Sequence, residues 1–187
     1  MKRKEDKLRQ NSLREMNKKI FIGIGIFWLI LILGFVAIKE FTLQTGEELL
    51  LKTRPVDPRD LFRGDYVILS YDISRLDLSS LESDTSEFKE NDKIYVTLDI
   101  VDGYGIAKGV FRQKPIDGLF LKGTVQEDST AVLSVEYGIE SYFVPEGEGR
   151  EIERARRGNL DVKVAIDKNG NVGIKNLILE GQEVRFN

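Results

Sequence analysis

The residue types available for chemistry are few, because this 187-residue chain contains neither cysteine nor histidine. Without them no Ser-His-Asp or Cys-His arrangement can form, and the commonest zinc ligands are missing. Serine–lysine chemistry, paired carboxylates, and Mg²⁺ or Ca²⁺ held by oxygen ligands remain. The chain has 31 Asp and Glu residues, so close carboxylate pairs will arise by chance. We therefore expect no catalytic residue, no bound metal and no cofactor.

The densest group of charged side chains is the Arg/Asp segment, residues 54–66, in which three Arg and three Asp alternate around two prolines. Guanidinium groups grip carboxylates through paired hydrogen bonds, so such alternation can build a fixed lattice. The segment is either a structural corner pinned against a sheet or a recognition surface for a charged ligand or partner protein. Its candidate interaction residues are Asp57, Pro58, Arg59, Asp60, Arg63, Gly64, Asp65 and Tyr66.

A second unusual segment, residues 137–150, reads YGIESYFVPEGEGR. Aromatic and apolar residues precede a proline and a glycine-rich acidic run. The pattern predicts either an aromatic plug over one end of a sheet or a loop that presents Glu146 and Glu148 to a partner. Its candidate residues are Tyr142, Pro145, Glu146 and Gly147.

Two short motifs are better explained as turns than as binding sites. Arg63-Gly64-Asp65 matches a known adhesion tripeptide, but its glycine suits a turn before a strand. Asp167-Lys168-Asn169-Gly170 superficially resembles a calcium loop. Its twelfth position, however, is Ile178 rather than the bidentate glutamate that such a loop requires. Asn-Gly between two apolar runs instead predicts a hairpin.

The elements that must position these segments begin with an apolar helix. Residues 20–38 contain no charge, and most of them are Ile, Leu, Phe or Val. A helix of that length spans about 28 Å, close to the hydrocarbon thickness of about 30 Å. We predict one uncleaved transmembrane helix. The alternative, a cleaved signal peptide, is disfavoured because the run is too long and no A-x-A site follows it.

Charge is distributed unevenly on the two sides of this helix. Residues 1–19 hold eight basic and three acidic side chains, so the remainder of a chain of net charge −3 carries −8. The basic flank predicts a cytoplasmic tail and an extracytoplasmic domain at residues 39–187, in the cell membrane as a single-pass protein. The tail acts as a topology signal, or also binds anionic head groups. The acidic remainder argues against nucleic acid as a partner.

Strand patterns dominate residues 39–187, whereas residues 74–92 are predicted to form a polar loop and residues 148–157 one short helix. In residues 66–73, one face of the predicted strand is apolar, with Leu69 and Tyr71 on it. The other predicted strands are 47–54, 93–101, 106–112, 118–126, 130–137, 160–166 and 172–179. The fold class is therefore mainly β, an antiparallel sandwich or barrel after the transmembrane helix.

Residues 64–71, Gly-Asp-Tyr-Val-Ile-Leu-Ser-Tyr, fit the GDYxxLxY signature position for position. Residues 57–60 and 142–147 are also similar to that family. Over nearly the whole outer domain, the chain resembles the GDYxxLxY family of bacterial membrane-anchored proteins. The resemblance implies an envelope protein with an N-terminal anchor but no established activity. It also implies a membrane-protein partner, because such proteins tend to be encoded near multi-pass membrane proteins.

We predict a non-enzymatic envelope module that docks onto a membrane or envelope protein through residues 54–65 and 142–148. One alternative is a membrane-tethered hydrolase of the signal-peptidase type, in which Ser70 and Lys93 would be the residues to test. Another is a sensor of a divalent cation or small ligand, whose identity the sequence does not indicate.

Overall fold

The computed structural model describes residues 2–54, 66–145 and 160–185, with residues 2–17 described by their backbone alone. The chain divides into two compact units, Met1–Glu40 and Phe41–Asn187. The predicted helix at residues 148–157 and most of the Arg/Asp segment lie outside the described residues.

One long helix, α1, runs from Lys2 to Thr45. Its part Lys18–Thr45 has a mean hydropathy of 2.8 over its most apolar stretch and is long enough to cross a membrane. The side chains between Ile20 and Ile38 are all exposed, so no protein core covers the apolar surface. An exposed helix that is apolar all round is typical of a membrane span. The prediction of an apolar helix over residues 20–38 is confirmed.

Thirteen strands are described after α1. They are β1 (Glu47–Arg54), β2 (Tyr66–Ile68), β3 (Ser70–Tyr71), β4 (Arg75–Asp77), β5 (Glu82–Ser83), β6 (Lys93–Val101), β7 (Tyr104–Phe111), β8 (Leu119–Val125), β9 (Val132–Glu136), β10 (Ser141–Phe143), β11 (Leu160–Ile166), β12 (Val172–Leu179) and β13 (Gln182–Glu183). A 3₁₀ turn, Asp72–Ser74, separates β3 from β4.

Most strands form one large sheet in the order β13-β12-β11-β1-β7-β6-β8-β9-β4, with β3 paired to β1 and β5 to β7. Strands β2 and β10 form a separate two-stranded ribbon. The pairings are antiparallel except at two places, where β7 runs parallel to β1 and to β5. The prediction of a mainly β domain is confirmed, in the form of a mixed sheet.

The core follows the alternation of the strands. In β6, Ile94, Val96 and Leu98 point inward and are buried, whereas their neighbours are exposed or half-buried. The same period recurs in β11, where Val162 and Val164 are completely buried. The inward-facing side chains, every second residue along these strands, thus form one apolar cluster that packs the large sheet against the ribbon.

The prediction of a polar loop over residues 74–92 is confirmed for most of that stretch but is wrong at two short strands. That stretch contains β4 and β5, and Phe88 forms an isolated bridge with Ser129. Leu76 and Phe88 are only 3% and 2% exposed, so two apolar side chains hold a mostly polar stretch against the core. The predicted strand 66–73 is also interrupted, because Leu69 pairs with no strand and separates β2 from β3.

Candidate functional site

Two buried tyrosines hold the signature strand to the segment that precedes β10. The hydroxyl of Tyr71 donates to the carbonyl of Ile139 at 2.6 Å, and the hydroxyl of Tyr137 donates to the carbonyl of Ile73 at 2.6 Å. Each tyrosine thus bonds the residue two positions after the other. We call this reciprocal pair the tyrosine clasp. Burial raises the pKa of both phenols, so both remain protonated donors at neutral pH.

The loop between β9 and β10 is organised by Glu140. Its carboxylate accepts the backbone N–H groups of Tyr137 at 2.6 Å and Gly138 at 2.8 Å. The Glu140 carbonyl in turn accepts the N–H of Leu69 at 2.7 Å, which attaches the signature residues to this loop. Burial raises the pKa of Glu140 above its ordinary value, although the backbone N–H bonds oppose that rise.

The ribbon of β2 and β10 joins the two segments that the sequence analysis singled out. Tyr142 pairs with Val67, and Phe143 pairs with Tyr66. The rings of Tyr66 and Phe143 meet edge to face with centroids 5.6 Å apart. Both are exposed, Tyr66 by 50% and Phe143 by 59%. We call these two side chains the aromatic pair.

Segments 55–65 and 146–159, which the structure does not describe, each connect the ribbon with the β1–β11 pair. Segment 55–65 connects Arg54 with Tyr66, and segment 146–159 connects Pro145 with Leu160. Tyr66 pairs with Phe143 on the ribbon, while β1 and β11 run side by side as far as Lys52 and Asp161. Both segments are therefore attached to the ribbon at one end and to the β1–β11 pair at the other.

The structure separates the predicted site residues into two described groups. Leu69 and Tyr71 are core residues, 1% and 0% exposed, so their role in the signature is structural. Tyr66 is on the surface, Tyr142 is half-buried against the core, and Pro145 follows β10. The remaining predicted residues, Asp57, Pro58, Arg59, Asp60, Arg63, Gly64, Asp65, Glu146 and Gly147, lie outside the described part of the chain.

A groove of about 520 Å³ lies where β1 and β7 diverge. Ile73, Leu76 and Ala107 contribute apolar lining. On its rim, the Lys52 ammonium sits 5.0 Å above the ring of Tyr104. On the side of β7 that faces away from β6, strand β1 pairs at one end and β5 at the other. Between these two contacts, no strand of the described residues pairs with β7. Sequence reasoning missed this groove, because it depends on contacts between residues far apart in the chain.

The residues considered for catalysis lie on different strand pairs. Ser70 pairs with Arg54 between β3 and β1, whereas the Lys93 ammonium donates to the Thr124 hydroxyl between β6 and β8 at 2.8 Å. Within the described ranges no group of three or more metal-ligating side chains occurs. The Asp167 carboxylate accepts the backbone N–H groups of Asn169 and Asn171, as expected of a hairpin turn.

The sequence model of a family described as GDYXXLXY protein matches residues 28–177, which include the apolar end of α1, the clasp and the ribbon. No match was found among curated proteins or among solved structures. Because the matched region covers most of the sequence, the chain belongs to the GDYXXLXY family.

Proposed function

We propose that this protein is a bacterial membrane-anchored envelope module that binds another membrane protein and has no catalytic activity of its own. The observation that carries the proposal is the ribbon of β2 and β10, on which the exposed rings of Tyr66 and Phe143 meet. Aromatic side chains bury a large area at little entropic cost, and together with arginine they are the commonest interface anchors.

The arrangement of the signature supports binding rather than catalysis. Leu69 and Tyr71 are buried in the core, and Tyr71 also forms the clasp, so among the described residues of the signature Tyr66 is the exposed one. The clasp and the bond from the Leu69 N–H to the Glu140 carbonyl join the two chain segments next to the ribbon. A rigidly supported aromatic pair loses little freedom on binding, which is how preorganised interfaces gain affinity.

The membrane placement is the second part of the proposal. The apolar stretch of α1 would cross the bilayer once, with residues 1–19 in the cytoplasm and the β domain outside. The excess of basic side chains before the apolar stretch supports this orientation, because Lys and Arg near a span are retained on the cytoplasmic side.

The test is photo-crosslinking in living cells, with a photoreactive amino acid in place of Phe143. The expected product is a covalent adduct with a membrane protein. The same amino acid at Val132, an exposed apolar residue on β9, is the matched control and should give no such adduct. Adding Tyr66→Ala to the Phe143 probe should reduce the adduct strongly. Equal adducts from both probe positions, or none from Phe143, would refute the docking surface.

A second candidate, an extracytoplasmic sensor of a small ligand, is supported by the groove between β1 and β7. Its lining combines apolar side chains with the cations of Lys52 and Arg75 and the carboxylates of Asp72, Asp77 and Asp102, which suits an amphipathic small ligand. Thermal shift of the detergent-solubilised chain with fatty acids, polyanions, Mg²⁺ and Ca²⁺ tests this reading. If the protein is a sensor, one of these ligands raises the melting temperature. The substitution Ala107→Trp, which fills the groove, then removes that increase.

A further inference from the structure

Among the described residues of the β domain, Ile116 is the most exposed large apolar side chain, with 97% of its surface accessible. It lies in the loop of residues 112–118, which connects β7 to β8. We propose that this loop and its lysine neighbours form a surface that binds anionic lipid head groups, with Ile116 inserted among them. The proposal rests on the membrane anchor proposed above.

The loop lies at the end of the domain where the chain arrives from the apolar helix. Thr42 is 3% exposed, and its hydroxyl donates to the Asp167 carboxylate at 3.0 Å. Asp167 begins the β11–β12 turn, whose Gly170 packs so closely against Phe120 that an added Cβ would lie 2.7 Å from its ring. Phe120 is the second residue of β8, which follows the Ile116 loop directly. Thr42, the turn and the loop are therefore neighbours.

Chain length restricts how far this end can be from a bilayer. Thr42 lies only four positions after Ile38, the last residue of the uncharged run. Four steps along the chain span about 6 Å in a helix and at most about 14 Å fully extended. If the run spans the bilayer, Thr42 and its neighbours are consequently held at the level of the head groups.

Three lysines lie in the Ile116 loop, on β8 and in the adjoining β11–β12 turn. Lys114 donates to the side-chain oxygen of Asn169, and Lys122 to that of Asn171, both at 3.1 Å. Lys168 is exposed in the same turn. Amide oxygens are neutral, so these contacts orient two of the ammonium groups without cancelling their charge.

The acidic side chains near this end include Asp117, Asp167 and Glu47, which is exposed at the start of β1 opposite Ile166. Asp117 is exposed beside Ile116, whereas the Asp167 carboxylate is half-buried and bonded to Thr42, Asn169 and Asn171. Arg112, at the start of the loop, forms an ion pair with Asp92 at 2.8 Å, so its charge is not counted as part of the proposed surface. An exposed apolar side chain with lysines in its own loop and in the adjoining turn matches interfacial membrane contact, in which the apolar residue enters the bilayer and the basic residues bind anionic head groups.

The absence of cysteine makes a clean experiment available. Ile116→Cys in the full chain carries one environment-sensitive fluorophore, and the protein is reconstituted into bilayers that contain a spin-labelled quenching lipid. The control is Thr130→Cys, an exposed position beyond the far end of β8. We expect strong quenching at position 116 and little at 130 in bilayers of phosphatidylcholine and phosphatidylglycerol. Replacing Lys114, Lys122 and Lys168 by glutamine should remove most of the quenching.

The possible outcomes separate this inference from the anchor. Equal quenching at the two positions would overturn the lipid surface, provided that the protein resists carbonate extraction from the bilayer. Extraction by carbonate would instead refute the anchor itself. Quenching that persists in the triple lysine variant would overturn the role of the lysines, and binding of an acidic peptide rather than vesicles would reassign the surface.

Discussion

At the scale of single residues, the tyrosine clasp makes the sharpest prediction. Tyr71→Phe removes the donor to the buried carbonyl of Ile139, and Tyr137→Phe does the same to that of Ile73. Each change should lower the free energy of unfolding by about 1–3 kcal/mol, because a buried acceptor loses its partner. Chemical denaturation of the full chain in mild detergent, followed by the circular dichroism of the β domain, measures the effect.

Tyr95→Phe is the control for the clasp. Tyr95 is half-buried on β6, and its hydroxyl makes no hydrogen bond within the described residues, so its loss should change stability by less than about 0.5 kcal/mol. Equal effects of the three substitutions would show that the clasp bonds contribute nothing beyond packing.

The carboxyl group of Glu140 makes stability depend on pH. Burial raises its pKa in the folded domain above the ordinary value of 4.5, so the folded state holds this proton more tightly than the unfolded state. The contribution of Glu140 to stability is therefore full at low pH and is lost as pH rises from 4.5 through the raised pKa. The free energy of unfolding of wild type, minus that of Glu140→Gln, should fall over that interval.

The measurement is a series of denaturation curves at different pH, with Glu90→Gln as the exposed control. A difference between wild type and Glu140→Gln that stays constant with pH would contradict the prediction. Glu140 was not among the residues predicted from the sequence. In the sequence, Glu140 is one glutamate among polar and apolar residues of a loop, and nothing marks it as buried. Its burial depends on Leu69 and Tyr137, whose N–H groups contact it only in the folded domain.

At the scale of elements, the β11–β12 turn shows what a glycine contributes. Gly170 has a φ of +77°, and an added Cβ would lie 2.7 Å from two ring carbons of Phe120. Gly170→Ala should therefore add packing strain to the cost of a left-handed backbone. Gly181, at φ +82°, has nothing within 4 Å of such a Cβ and is the matched control.

We expect Gly181→Ala to cost about 1–2 kcal/mol of stability, the price of the backbone conformation alone. Gly170→Ala should cost about 1–3 kcal/mol more, because the Phe120 ring must move. Thermal unfolding of both variants in the same detergent tests the difference. Equal losses would mean that Phe120 yields freely, and that the turn is not packed against β8.

The longer strands were predictable from the sequence. The bounds of β1, β6, β11 and β12 match the predicted ranges, because each is a stretch of seven to nine residues with several apolar side chains, flanked within two residues by Gly, Pro, Asn or Asp. The short strands β4, β5, β10 and β13 were not predicted. Two or three residues carry no period, and partners such as Ser134 for Arg75 are distant in the chain. The ribbon that gathers the candidate site was missed for the same reason.

At the scale of the whole molecule, the sequence determines the apolar span more directly than the binding surface. Membrane insertion depends on the length and apolar composition of one continuous stretch, which can be evaluated from the sequence alone. The candidate site depends on residues from β2 and β10 that are more than seventy positions apart. Sequence reasoning identified both segments as unusual, but only the fold places Tyr66 against Phe143 and buries Tyr71 away from any partner.

The orientation of the whole chain yields the last prediction. Alkaline phosphatase fused after Asn187 folds only outside the cytoplasm, and a fluorescent protein that fails after export is its complement. The excess basic charge of residues 1–19 should hold the tail inside, so the phosphatase fusion should be active and the fluorescent fusion dark. Replacing the eight basic residues of the tail by glutamine, while adding lysines directly after Ile38, should invert both readouts, because the charge difference across the span then changes sign. If the charge changes leave both readouts as they are in the unaltered chain, some signal other than the basic residues sets the orientation. A phosphatase that is inactive in the unaltered chain would place the aromatic pair and the Ile116 loop in the cytoplasm.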